Sequence, residues 1–320
     1  MAPTSPPHPA AGARTALSRR TLLRGAAALG VVGAVGGLGL AGCGSDNPDP
    51  DATPGPDDAA SGSGRVLVSM TDAAASLAAG RESRLALGLG DERGTLVRDA
   101  PDTLTFEVQD TDGGSVAFGL EIARHDAGLP RAYFPLVVTI DQPGFYRAVT
   151  EVDGATVDAA FEVSTEGDIA IPQPGEAFPS VTTPTVADAG GVDPICTQDP
   201  PCDLHEIELT TVLGSAPVAL LVSTPAFCQT AICGPVLDLF VAAQAAAPDV
   251  AFIHVEVFAS ADAVEAEGLA ATLAPAVAAL DLPFEPCLFL IGADGVLRRR
   301  LDVIYDEVEL REGLDALATR

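Results

Sequence analysis

The chain contains no lysine: all 17 of its basic residues are arginine. Four of them lie in the first 42 residues, where no Asp or Glu occurs, and the remainder carries 45 acidic side chains against 13 basic ones. A surface this acidic, with no cationic patch, repels phosphate backbones and anionic headgroups, so nucleic-acid binding is excluded. Histidine is scarce, at four positions, and none follows His254. Cysteine is absent between Cys43 and Cys196. The one long apolar run near the N-terminus, residues 25–40, is too short and too rich in small residues for a comfortable membrane span. What remains is ample: 48% of residues are apolar, and 320 residues suffice for two domains with appendages.

Taken in order, the chain opens with Ser18-Arg19-Arg20-Thr21-Leu22-Leu23, the small-residue run, and Leu40-Ala41-Gly42-Cys43. This order resembles a twin-arginine lipoprotein signal over residues 1–43. The resemblance implies that Arg19 and Arg20 are the export address and Cys43 the lipidated mature N-terminus. The chain would then be anchored through that lipid at the outer face of the cytoplasmic membrane. Residues 44–64 hold Pro, Gly, Ser and Asp without core formers and read as a disordered tether. Between 65 and 165, seven short apolar or alternating runs are separated by turn signals such as Asp141-Gln142-Pro143-Gly144 and Asp153-Gly154. They predict a two-sheet sandwich. Pro143-Gly144-Phe145-Tyr146 is similar to the corner of immunoglobulin-like and fibronectin-like modules. His125 is the sole histidine of this stretch and reads as solvated. Residues 166–201 are rich in Pro and predict an extended interdomain linker. Cys196 and Cys202 flank Asp199-Pro200-Pro201 at its end, and outside the cytoplasm they are expected to form a structural disulfide.

Residues 202–320 alternate strand and helix, with Ile207 to Leu209 as a strand and one long helix from about Asp262 to Leu280. The chemistry centres on PVALLVSTPAFCQTAICGPVLDL at 217–239. Val218 to Val222 reads as a buried parallel strand, and Gly234-Pro235 opens a helix with Val236, Leu237, Phe240 and Val241 on one face. Cys228 and Cys233 therefore sit between a core strand and a helix start, where N–H groups and the helix dipole favour a thiolate. In an unbroken helix, five residues rise roughly 7.5 Å, too far for a disulfide, so a bond between them needs a non-helical stretch. The inert alternative is a pair of small buried hydrophobes or a static staple.

This order of elements, with Ala226-Phe227-Cys228, Pro235-Val236-Leu237-Asp238 and Glu285-Pro286-Cys287-Leu288-Phe289-Leu290-Ile291, resembles the thioredoxin superfamily. The resemblance implies an α/β fold, a cis-Pro loop at Pro286 facing the cysteine motif, and thiol–disulfide exchange. Only an X-Pro bond makes cis cheap, which singles out Pro286. The spacing C-x4-C differs from the family's C-x-x-C and is also similar to two-cysteine peroxiredoxins, although the arginine those enzymes place before the following strand is absent. Arg298, Arg299 and Arg300 read as a solvated face. A third similarity is to the copper-handling Sco type, with Cys287 as an added soft ligand, while His254, inside an apolar strand, reads as a satisfied core residue.

The expected architecture is thus multidomain: an all-β immunoglobulin-like sandwich at 65–165 and an α/β thioredoxin-like domain at 202–320. The expected activity is thiol–disulfide exchange with extracytoplasmic protein thiols or disulfides. In it Cys228 attacks, Cys233 resolves, Pro286 presents substrate backbone and Cys287 is a resolving or third-ligand thiol. No cofactor and no metal site are assigned. The alternatives are a non-enzymatic partner-binding lipoprotein on the same scaffold and Sco-like delivery of a soft metal.

Overall fold

The computed structural model describes residues 64–71, 77–228 and 232–318. Arg19, Arg20, Cys43 and all but the last residue of the 44–64 segment lie outside them. The described chain is β-rich, with three sheets and five short helices. No described helix is long and apolar enough to cross a membrane.

Seven strands occupy the first half: β1 Arg65–Ser69, β2 Glu82–Asp91, β3 Thr103–Asp110, β4 Ser115–Ala123, β5 Phe134–Thr139, β6 Gly144–Val152 and β7 Ala155–Val163. They form one sheet of order β1-β2-β5 and another of order β4-β3-β6-β7. Period-two burial along β6 and β7 turns Tyr146, Ala148, Val157, Ala159 and Phe161 inward. There they share a core with Leu85, Leu87 and Leu136 of the other sheet. Each such Leu or Phe contributes roughly 1.5–3 kcal/mol by leaving water. Asp153 and Gly154, both at positive φ, close the tight β6–β7 hairpin. At the corner before β6, Tyr146 Oη donates to the Gln142 carbonyl at 2.8 Å.

The second half has four strands, β8 Val218–Val222, β9 Ala251–Val255, β10 Cys287–Ile291 and β11 Leu297–Asp302, in the order β11-β10-β8-β9. β8 and β9 are parallel, and β10 runs antiparallel to both β8 and β11. Because both faces are covered, β8 and β10 are continuous apolar runs. Val218, Leu220, Val222, Cys287, Phe289 and Ile291 face one cluster. Ala219, Leu221, Leu288 and Leu290 face the opposite one, which is capped by helices α2 (Cys233–Ala243) and α5 (Glu307–Ala318).

Several expectations need correction. The run 207–209 is not a strand: Glu208 caps a one-turn helix, α1 (Leu209–Val212), by accepting from Thr210 N. The helix expected over 262–280 is broken into α3 (Ala261–Glu267) and α4 (Pro275–Ala279), because Gly268 turns to φ 64° and Pro275 restarts the chain. Residues 166–201 are extended but are no free linker. Gly175 N and Phe178 N donate to the Leu297 and Gly295 carbonyls, and Ile171, Phe178, Val181 and Val192 enter the core beneath β8 and β10.

Arg300 is not solvated either; it is buried against Asp302 and the Pro172 carbonyl. His125 is likewise half-buried, with Nδ1 3.0 Å from Asp306 Oδ1 ahead of α5. Beside it Arg84 of β2 makes two bonds to Glu309, at 2.6 and 2.8 Å, and two more to the carbonyls of Asp302 and Ile304. Tyr133 Oη also donates to Glu309 and accepts from Asp306 N. The sandwich is thereby joined to the β11 edge of the second sheet by a buried polar network.

Candidate functional site

β8 ends at Val222, and the chain leaves the sheet through the buried residues Ser223 and Thr224. Phe227 N donates to the Thr224 carbonyl, forming a turn that delivers Cys228 to the rim. Cys228 is half-buried and Cys233 fully buried; the two are joined by a disulfide, with their Cα atoms 5.9 Å apart. α2 starts at Cys233, one residue ahead of Gly234-Pro235, so Cys228 lies outside the helix. The Glu285–Pro286 peptide is cis. The preceding side chain reaches the same place: Glu285 Oε2 accepts from Thr224 N at 2.8 Å and stands 3.7 Å from Cys233 Sγ. Burial, reinforced by the nearby Glu256 carboxyl and opposed by the Thr224 N–H, pushes the Glu285 pKa up to about 8. Glu256, just beyond β9, is buried and accepts from Thr197 N and Oγ1 at 2.6 and 2.9 Å, and burial raises its pKa too.

Cys287 does not join this group. Strand alternation turns it to the face of the sheet opposite α2, where it is fully buried with its sulfur 3.4 Å from Asp302 Oδ1. Burial drives its pKa well up, the reverse of what an attacking or ligating thiol needs. The roles of resolving thiol and third ligand assigned to it are withdrawn.

A second group of sulfurs lies on the far side of Ser223. Cys196 and Cys202 are not bonded to each other, contrary to the structural disulfide expected of them: both are free, with their sulfurs 3.7 Å apart. His205 and His254 enter the same space. Cys202 Sγ is 3.3 Å from His205 Nε2 and 3.4 Å from His254 Nδ1. Cys196 Sγ is 3.9 Å from His254 Nδ1, and the two ring nitrogens are 3.3 Å apart. Cys196, His205 and His254 are buried, and Cys202 is half-buried.

The backbone builds this cluster. His254 N of edge strand β9 donates to the Leu204 carbonyl, drawing the 196–205 loop along the sheet edge, and Gln198 ties the loop to Asp238 of α2. His254 is buried as expected of a core residue, but only half of its ring is satisfied by the core. Nε2 donates to the Ser223 carbonyl at 3.2 Å, which leaves Nδ1 facing the sulfurs. The two sites share a wall: Thr197, next to Cys196, holds Glu256 and accepts from Ala226 N in the Cys228 loop at 3.2 Å.

The sequence reading missed Glu256, Glu285 and His205. A carboxyl inside an apolar strand end, another ahead of a singled-out proline, and a histidine three residues after a cysteine were the available signals.

A cleft of about 530 Å³ near the sandwich is lined by Arg81, Arg84, Arg298, Arg299 and Arg300. Each guanidinium is already held by a carboxylate, so the cleft is not an anion site in waiting.

No protein-family model matches the chain, and no curated protein does. Among solved structures, a titin M4 domain is similar at 15% identity over 28% of this chain and 82% of its own, with a TM-score of 0.17, too slight a likeness to bear on the fold.

Proposed function

We propose that this protein is a membrane-anchored extracytoplasmic thiol–disulfide oxidoreductase, in which a thioredoxin-like domain acts through Cys228 and Cys233 and an immunoglobulin-like sandwich accompanies it. The observation that carries the reading is the arrangement at the rim. A half-buried sulfur is bonded to a fully buried one at the start of a helix, with a carboxyl of raised pKa 3.7 Å from the buried sulfur. The Arg19-Arg20 pair and Cys43 support export and lipid anchoring.

In the oxidised state a thiolate of an extracytoplasmic partner attacks Cys228 Sγ. The Cys228–Cys233 bond breaks, a mixed disulfide forms, and the electron pair leaves on Cys233. At neutral pH Glu285 is largely protonated and gives its proton to that thiolate. The partner's second thiolate then attacks its own sulfur in the mixed disulfide and releases Cys228. Two electrons have passed from the partner dithiol, which becomes a disulfide. In the opposite direction Glu285 acts as the base that activates Cys233.

The test is the reduction potential of the Cys228–Cys233 pair together with trapping in Cys233→Ser. A potential above about −300 mV and a mixed disulfide at Cys228 are expected. A potential far below that value, with no mixed disulfide, would mark a permanent staple and leave a binding lipoprotein as the reading.

A further inference from the structure

We infer that Cys196, Cys202, His205 and His254 form a tetrahedral Cys2His2 site for a zinc ion, separate from the exchange pair. The inference does not rest on the redox reading. Four donor atoms of the right kinds lie within 4.8 Å of one another, three of them on buried side chains. Zinc bonds of about 2.3 Å to sulfur and about 2.05 Å to nitrogen place tetrahedral donors about 3.8 Å apart for S–S, about 3.6 Å for S–N and about 3.3 Å for N–N. The corresponding separations are 3.7 Å between the sulfurs, 3.3, 3.4 and 3.9 Å between sulfur and nitrogen, and 3.3 Å between the nitrogens. Five of the six donor–donor separations thus lie within about 0.3 Å of those of a zinc tetrahedron, and the sixth, Cys196 to His205, is within 4.8 Å.

A disulfide explains less. Closing one would bring the sulfurs from 3.7 Å to about 2.05 Å and would give the two imidazoles nothing to do. The outer contacts fit a ligand role instead. A metal-binding histidine gives its other N–H to a fixed acceptor, which sets the ring's tautomer and aim; His254 meets this, with Nε2 giving its proton to the Ser223 carbonyl, whereas His205 Nδ1 is buried without a protein partner among the described residues. Ser223 Oγ lies 3.0 Å from the same nitrogen. Cys202 N donates to Cys196 Sγ at 3.4 Å, the kind of bond that supports a bound thiolate. All four positions are filled by protein, so the site is closed and its role is structural. It would fix the 196–205 loop against β9 and, through Thr197 and Ala226, the loop that carries Cys228.

The experiment uses the full chain in detergent, reduced under anaerobic conditions, supplied with Zn2+ alone and freed of loose metal by gel filtration. One zinc per chain is expected, with X-ray absorption showing two sulfur and two nitrogen neighbours, and with Cys196 and Cys202 shielded from alkylation until a chelator is added. Cys202→Ser/His254→Ala should lower the affinity for zinc by at least about a hundredfold. Cys228→Ser/Cys233→Ser should retain the full equivalent, which separates this site from the exchange pair. His254→Cys, which supplies a thiolate in place of the ring nitrogen, should also retain it and controls for misfolding. Undiminished zinc in Cys202→Ser/His254→Ala, or no uptake by the reduced folded chain, would overturn the assignment.

Discussion

The junction with the sandwich and the rim beside the disulfide bury carboxyl groups in opposite ways. At the β11 edge Glu309 is almost fully enclosed, yet its pKa is lowered, because Arg84, Tyr133 and Arg299 offset its burial. At the rim where β8 ends and β10 begins, Glu285 is enclosed with no cation acting on it, and its pKa rises to about 8. Burial alone therefore says little about function; what faces the buried group decides. A carboxylate locked to an arginine fastens two parts of the molecule, whereas one left beside a sulfur can trade protons near neutral pH. Among the described residues, Arg84 and Arg299 stand against Glu309, and no arginine acts on Glu285.

The sharpest way to break this contrast is at the sulfur. Cys228→Ser should abolish turnover of a dithiol or disulfide substrate, while Arg84→Ala in an otherwise intact chain should leave the rate of the folded fraction unchanged; activity surviving in Cys228→Ser would dissolve the distinction. Arg84→Ala should instead cost roughly 3–5 kcal/mol of stability in denaturant unfolding, because it takes from the buried Glu309 its principal cation, leaving Arg299 and Tyr133, and removes the donor to the Asp302 and Ile304 carbonyls. A loss below about 1 kcal/mol would mean that the junction is not held as described.

Exchanging the same atoms at both places comes next. Glu285→Gln should slow exchange about a hundredfold and erase a rate limb that, in the dithiol-oxidising direction, falls as pH rises through about 8. Glu309→Gln should lose stability and keep that limb. A pH–rate profile of each variant distinguishes them.

The smallest effect concerns His125 and Asp306. The Asp306 bond raises the His125 pKa in spite of burial, so its contribution is fully present below the unfolded value of about 6.5 and fades as pH rises through the raised one. For Asp306, whose pKa is lowered despite burial chiefly by the hydrogen bond to His125, the contribution is present above its unfolded value and fades as pH falls through the lowered one. His125→Gln should therefore cost about 1 kcal/mol near pH 6 and little in alkali, as measured by unfolding at the two pH values.

Local pattern and long-range assembly were not equally legible in the sequence. Strands β6 and β7 were readable because one face of each is wet, and period-two alternation survives in their letters. β8 and the opening of α2 were readable because a dry strand and a Gly-Pro helix start are local events. The zinc cluster was hidden because its parts are remote: His254 stands 52 residues beyond Cys202, and only sheet formation brings the ring to the sulfurs. Proximity of Cys196 and Cys202 in the chain suggested a bond between them, whereas the surrounding imidazoles change what that proximity means. Residues 166–201 were misread because Pro-rich composition signals absence of helix and strand, not absence of packing; Phe178 stacks edge-on against Phe289 with ring centres 5.0 Å apart.

The sealed thiol of Cys287 offers a use that owes nothing to catalysis. It sits in β10, flanked by β8 and β11, with no exposed surface, so a small alkylating reagent can reach it only when those strands part. Its labelling rate is a built-in stopwatch for the opening of the sheet, one that can be read against reagent concentration with the other thiols blocked beforehand.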